Sequence, residues 1–242
     1  MVAFTTKELN DMWRWCADIG MFDADRPIYD TPSGKSKGSC ESWKTEFCSD
    51  TCYNNKLYKM YPNMANRDDR CENYWQRINL KALSGFIEHF KRKRRQTKRK
   101  RLMSRGEAFK EPSDVYRVRT MMILDSDSVW WIPTRAWRDP RMKALIEKEI
   151  MTLPNHAVNA SLDPSNSKEE WQMLDRDGWN TMFYGDDTIA DDNPNLPKNK
   201  RMFKCPKTHK GLKGHCASCK AGCFSFTAMR DKRQVHTHLS QH

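Results

Sequence analysis

The sequence predicts an α/β protein built on parallel strands. Three observations point there. Short strand-like and helix-like segments alternate through the middle of the chain, the pattern of strand–helix–strand units. Val129-Trp130-Trp131-Ile132 is β-branched and aromatic, with a turn directly after it at Pro133-Thr134-Arg135. Each strand-like segment also ends in small or polar residues: Gly106-Glu107, Thr134-Arg135, Ser161 to Asp163 and Gly185-Asp186. In parallel α/β folds, ligands bind at those C-terminal strand ends.

Taken in order, Thr5 and Glu8 form a capping-box pattern, and Leu9, Met12, Trp13 and Cys16 recur at helical spacing, so a helix is expected over Thr6–Asp18. Cys16 reads as a core residue of that helix. Met21–Gly38 carries Pro27, Pro32, Gly34 and Gly38 and reads as a loop. A helix is expected from Arg67 or Asp68 onward, with Cys71, Tyr74, Trp75, Ile78, Ala82, Phe86 and Phe90 on its apolar face. Lys98–Arg105 leads Leu102 and Met103 into a short strand and the Gly106-Glu107 turn. Pro112-Ser113-Asp114 starts a helix continued by Val115, Val118, Met121, Met122 and Ile123. Asp139-Pro140 starts another, with Met142, Leu145, Ile146 and Ile150 facing inward. Strands over Ala157–Ser161 and Trp179–Tyr184 flank a helix over Ser167–Leu174. Asp186–Lys200 reads as a loop, and a Cys/His-rich tail follows from Phe203.

The chain divides into an N-terminal helix and lead-in (1–38), an α/β core (39–202) and the tail (203–242). Its 242 residues are 38% hydrophobic and 31% charged, with a net charge of +12. Nine of the basic residues fall in one stretch: Lys91, Arg92, Lys93, Arg94, Arg95, Lys98, Arg99, Lys100 and Arg101. Without them the net charge falls to +3, so basicity belongs to a segment rather than to the whole surface. The stretch fits nonspecific attachment to nucleic acid or to an acidic host partner, or simply a solvated helix extension. No aromatic residue interleaves it, so base stacking is not indicated. In a parallel barrel, a helix-to-strand connection lies on the face opposite the active site, which argues against a substrate clamp there. No apolar run reaches the roughly 18 residues of a membrane span, and Met1–Asn10 has no signal-peptide core. A cytoplasmic, reducing setting is expected, where clustered cysteines favour metal over disulfides.

Two cysteine groups carry the chemistry. Cys40, Cys48 and Cys52 lie within thirteen residues, spaced C-x7-C-x3-C. A closed structural zinc site takes four ligands, whereas three thiolates can hold an iron–sulfur cluster and leave one iron open. The alternative is zinc, completed by a cysteine or histidine from elsewhere in the chain. Cys205, Cys216, Cys219 and Cys223 form the second group, with His209, His215, His236 and His238 as possible substitutes. Zinc and a second [4Fe–4S] cluster both fit that set.

The order of features resembles the radical S-adenosylmethionine core, a partial (β/α) barrel of parallel strands. The residues that carry the likeness are Cys40, Cys48 and Cys52, then Gly106-Glu107, then Ser161-Leu162-Asp163. That resemblance implies a [4Fe–4S] cluster on the three cysteines. It also implies S-adenosylmethionine bound beside Gly106, Glu107, Ser161 and Asp163. Arg135, between Trp131 and Trp137 at a strand end, is placed to bind a carboxylate or phosphate. Bland readings exist for each: a turn carboxylate for Glu107, an ion-paired residue for Arg135, a turn residue for Asp163.

More narrowly, the chain resembles the phage proteins grouped as the gene product eighty-eight family. The likeness runs through Cys40 to Tyr53, Arg105-Gly106-Glu107, Trp131 to Trp137, and Cys205-Pro206 through Cys223-Phe224. It implies iron–sulfur binding in a host cytoplasm and leaves the substrate unspecified. Two functions of different class are therefore expected: an iron–sulfur protein with possible radical S-adenosylmethionine chemistry, and a zinc-stabilised nucleic-acid or host-interaction protein using residues 91–101.

Overall fold

A computed structural model describes residues 39–77, 99–102, 106–186, 202–206 and 234–240, with positions 208, 209, 212, 221 and 223. The expected N-terminal helix and lead-in, Cys216, Cys219 and Lys91–Lys98 lie outside the described residues.

Three helices come first: α1 (Glu46–Thr51), α2 (Tyr53–Met60) and α3 (Pro62–Arg77). The sequence pattern signals only the last, and it starts at Pro62 rather than at Arg67 or Asp68. Pro62 suits a first helical turn because its missing N–H has no intrahelical partner there. The other two helices are too short and too polar to present an apolar stripe. α1 is recognisable by a cap instead: Thr45 Oγ1 accepts from the Cys48 amide at 2.9 Å.

The strands follow as β1 (Arg99–Arg101), β2 (Val129–Thr134), β3 (His156–Leu162), β4 (Asn180–Gly185), β5 (Phe203–Lys204) and β6 (His236–Ser240). Between them lie α4 (Pro112–Leu124), α5 (Pro140–Glu149) and α6 (Lys168–Arg176). All pairings are parallel, and the sheet order is β1-β2-β3-β4-β6-β5. The parallel α/β class is therefore as expected, and three elements differ. β1 sits on the end of the basic run, a few residues before the expected Leu102-Met103. The tail also supplies β5 and β6, so part of it belongs to the sheet. Their polar sequences, FK and HTHLS, carry no alternation of apolar residues. Ile123 is 48% exposed rather than core, one step off the stripe of Val115, Val118, Met121 and Met122.

β1 to β4 add to the sheet in chain order. Successive crossovers of one hand then leave the helices on a single face. The burial pattern agrees. Val118 and Met122 of α4, Met142 and Ile146 of α5, and Trp171 and Leu174 of α6 share one core with Trp130, Ile132, Val158, Ala160, Leu162 and Phe183. The alternate residues of the same strands, Val129, Trp131, Ala157 and Met182, form a separate cluster with Leu239 and Cys223. None of α4 to α6 contributes to it. Buried Trp130, Trp137, Trp171 and Trp179 supply much of the main core. Among the described residues, no helix is long and apolar enough to cross a membrane.

Candidate functional site

The site lies where β1, β2, β3 and β4 end, and the cysteine segment is fastened across those ends. Ser39 Oγ accepts from the Glu107 amide at 2.8 Å. Trp43 Nε1 donates to the Phe109 carbonyl at 2.8 Å. Thr45 Oγ1 donates to Asp163 Oδ2 at 2.6 Å while it caps α1. Tyr184 OH, from the end of β4, donates to the Thr51 carbonyl at 3.2 Å, and its ring meets Phe47 edge-on at 6.2 Å. Cys48 lies in the first turn of α1, and Cys52 is its C-cap, four residues on. That spacing puts both on one side of the helix. Cys40 precedes them in a turn closed by Trp43 and Lys44 amides on its carbonyl.

Two buried carboxylates organise the strand ends. Glu107 follows Gly106, whose φ of 84° is a left-handed conformation suited to glycine. Its Oε1 accepts from Thr134 Oγ1 at 2.7 Å and from the Phe109 amide at 3.1 Å, and its Oε2 accepts from the Arg135 amide at 2.8 Å. Burial raises its pKa, opposed by these same donors. Asp163 Oδ2 accepts from Arg135 Nη1 at 2.7 Å, and its Oδ1 accepts from the Ser165 amide at 2.9 Å. Burial alone would raise Asp163. The Arg135 guanidinium with the Ser165 and Thr45 donors outweighs it, and the pKa falls below the ordinary carboxylate value. The bland ion-pair reading of Arg135 is thus met in part, since the pair is almost wholly buried. An exposed pair would contribute little, but a buried one is costly to break.

The thiols face this network. Burial pushes Cys40 well up, helped by Glu107, Cys48 and Cys52 and opposed by Arg135. Burial also raises Cys48, opposed by the nearby Arg135 guanidinium. Tyr184 is raised by burial and, further, by Cys52 and Cys48. Three thiols, two carboxylates, a guanidinium and a phenol thus lie within electrostatic reach of one another. Cys40, Cys48, Cys52, Cys205 and Cys223 are all free of disulfides. Among the described residues, no group of three or more His, Cys, Asp or Glu side chains is gathered as for a single metal ion. A cleft of about 850 Å³ opens beside the segment, lined by Trp43, Thr45, Phe47, Asp50, Arg138 and Ser165.

The other expected site residues are spread more widely. Ser161 stands on the helix-free side of β3, two residues before Asp163, and its carbonyl accepts from Trp137 Nε1 at 3.1 Å. Arg99, Lys100 and Arg101 form β1, and the Arg101 guanidinium lies 4.5 Å over the Trp131 ring. The end of the basic run is therefore an edge strand of the sheet. Cys205 follows β5, its amide bonded to the His238 carbonyl at 2.9 Å. Cys223 packs on the helix-free cluster. Sequence reading missed Ser39, Trp43, Thr45, Thr134 and Tyr184 as parts of the site. Only Thr45 had a local signal, its cap position three residues before Cys48.

Fold and site together define a parallel α/β protein whose strand ends carry a cysteine-bearing polar centre. The chain matches the family profile described as Gene product 88 over residues 5–237, and it belongs to that family. Neither curated proteins nor solved structures give a significant match.

Proposed function

We propose that this phage-type protein binds a [4Fe–4S] cluster through Cys40, Cys48 and Cys52, and that it is a radical S-adenosylmethionine enzyme. The observation that carries this reading is the meeting of three thiols with Arg135, Glu107 and Asp163 at the ends of successive parallel strands. The donor set fits such a cluster. Three thiols are one short of a closed zinc site, and soft thiolates select iron–sulfur chemistry. Bound there, the cluster would supply one electron for reductive cleavage of S-adenosylmethionine.

The chain's own residues have separable parts. Arg135 offsets the negative charge that thiolates and their cluster bring to a buried place. Asp163 holds the guanidinium in position and, through Thr45, the turn that presents Cys48. Glu107 fixes the Thr134-Arg135 turn, and it is the residue that would accept from the cofactor's amino group. Gly106 lets the chain turn tightly before it, and Ser161 is the residue that would approach the cofactor's ribose. The test is anaerobic purification with iron and acid-labile sulfide analysis, an absorbance spectrum and S-adenosylmethionine binding. Iron and sulfide lost on Cys48→Ala, with cofactor binding lost alongside, is the expected outcome. A colourless protein that binds neither overturns the reading.

A second reading has one observation behind it. Because β1 is itself basic, the cationic stretch of the sequence runs into the sheet edge. Nucleic-acid attachment there, in a protein whose cysteines are zinc-binding, would appear as affinity that falls steeply with salt and without dependence on iron.

A further inference from the structure

The two metal chemistries open to the C-terminal cysteines are separated by a pair of histidines. His209 Nε2 and His238 Nδ1 face each other at 3.1 Å. Both rings are buried, and they meet edge to face with centroids 4.8 Å apart. Each far nitrogen lies on a backbone carbonyl: His209 Nδ1 on Cys205 O at 2.9 Å, and His238 Nε2 on Gly185 O at 3.2 Å. The carbonyls only accept, and the Thr208 hydroxyl, 3.4 Å from His209 Nδ1, itself donates to the Cys205 carbonyl at 3.3 Å, so these partners favour hydrogens on both far nitrogens. In that tautomer the two facing nitrogens present lone pairs to each other, an arrangement that a proton or a metal ion between them satisfies.

Histidine ligands of metals characteristically donate their other N–H to a carbonyl in this way, which fixes the tautomer and aims the free nitrogen. The separation also fits. Two imidazole nitrogens on one tetrahedral zinc, each about 2.0–2.1 Å from it, stand about 3.3–3.4 Å apart. An iron–sulfur cubane cannot use this pair jointly, because each of its irons takes a single protein ligand.

We propose that His209 and His238 are two ligands of a mononuclear zinc-type ion that ties the tail to the sheet. This rests on reading the C-terminal cysteines as metal-binding, and it is independent of any cluster at Cys40, Cys48 and Cys52. It chooses zinc over a second [4Fe–4S] cluster. Cys205, four residues before His209, is the natural source of a further donor: its backbone already bonds both histidines, through its amide to His238 O and its carbonyl to His209 Nδ1. The ion would lock the turn after β5 onto β6 and onto the end of β4. Phe183, whose ring is 5.6 Å from His238, closes the apolar side.

The experiment uses the full chain. Zinc content is measured as purified, and cobalt(II) is then titrated into chelator-treated protein and followed by its visible bands. One zinc per chain is expected, with an intense tetrahedral cobalt spectrum whose thiolate charge-transfer intensity counts the cysteines. His209→Gln and His238→Gln should each weaken zinc binding by more than roughly 100-fold, beyond the usual cost of an outer-shell change. His236→Gln, on the same strand but bonded to Thr181, should leave it intact. Because His209 lies in a turn, its variant folds even where a β6 substitution does not. Unchanged zinc affinity in both His209→Gln and His238→Gln, with loss in Cys205→Ser, overturns the histidine assignment alone. No zinc or cobalt binding to the wild-type chain overturns the metal reading of the tail as well.

Discussion

The two cysteine-bearing regions are attached to the same sheet by different means. The first, residues 39–60, contributes no strand. It is held by side chains: Ser39, Trp43, Thr45 and Thr51 meeting Glu107, Phe109, Asp163 and Tyr184. The second enters the sheet as β5 and β6, so His236 and His238 are set by the β6 ladder to β4, and β5 is laddered to β6 in turn. A ladder spreads its cooperativity over many bonds, whereas a set of tethers stands on individual groups. The difference predicts that the first region, fastened by single polar contacts and by Trp43 against the main core, is released before β6.

The largest expected effect follows from Asp163. Asp163→Ala leaves Arg135 buried without its partner and frees Thr45, which should cost about 3–5 kcal/mol in a urea titration. Amide exchange should quicken at Cys48 far more than at Thr237 of β6. Equal quickening at both would break the comparison. Gly185→Ala tests the other region. A Cβ there would come within 2.6 Å of the Phe183 ring, so about 1–3 kcal/mol should be lost, with protection falling along β4 and β6 rather than in α1.

A smaller effect is expected from Thr45→Val, which removes the α1 cap and one Asp163 contact. It should cost roughly 1–2 kcal/mol and loosen α1 with β6 unchanged. The mildest probe is pH. Asp163 is depressed in the folded state, so its contribution is complete above its unfolded value of about 3.9 and is lost as pH falls through the lower folded value. Glu107 is raised, so its share is present below about 4.3 and is lost as pH climbs through its folded value. Acidification should therefore release the first region ahead of β6, and Asp163→Asn should flatten that acid limb. Both are read by exchange at Cys48 and Thr237.

Legibility varied by residue type. Val129–Ile132, the Asp139-Pro140 start and the Ser167 capping box announce their elements locally, through side-chain shape and cap chemistry. The strand-end rule also marked Glu107, Arg135 and Asp163, and the structure joins all three in one network. What could not be read was their pairing. Arg135 and Asp163 are twenty-eight residues apart, and Thr45 and Asp163 are one hundred and eighteen apart, so only the register of β2 on β3 and the path of the cysteine segment bring them together. The strands β5 and β6 were invisible for a related reason: HTHLS becomes strand through its neighbour β4, not through its own preference.

By itself, then, the sequence determined the class of fold and the strand-end positions of Glu107, Arg135 and Asp163, because alternation and caps are local properties. The tertiary structure alone decided which carboxylate holds which cation, which face of the sheet α4 to α6 cover, and that His209 meets His238. Those depend on chain crossovers and register, and no short window of sequence contains the energy that sets them.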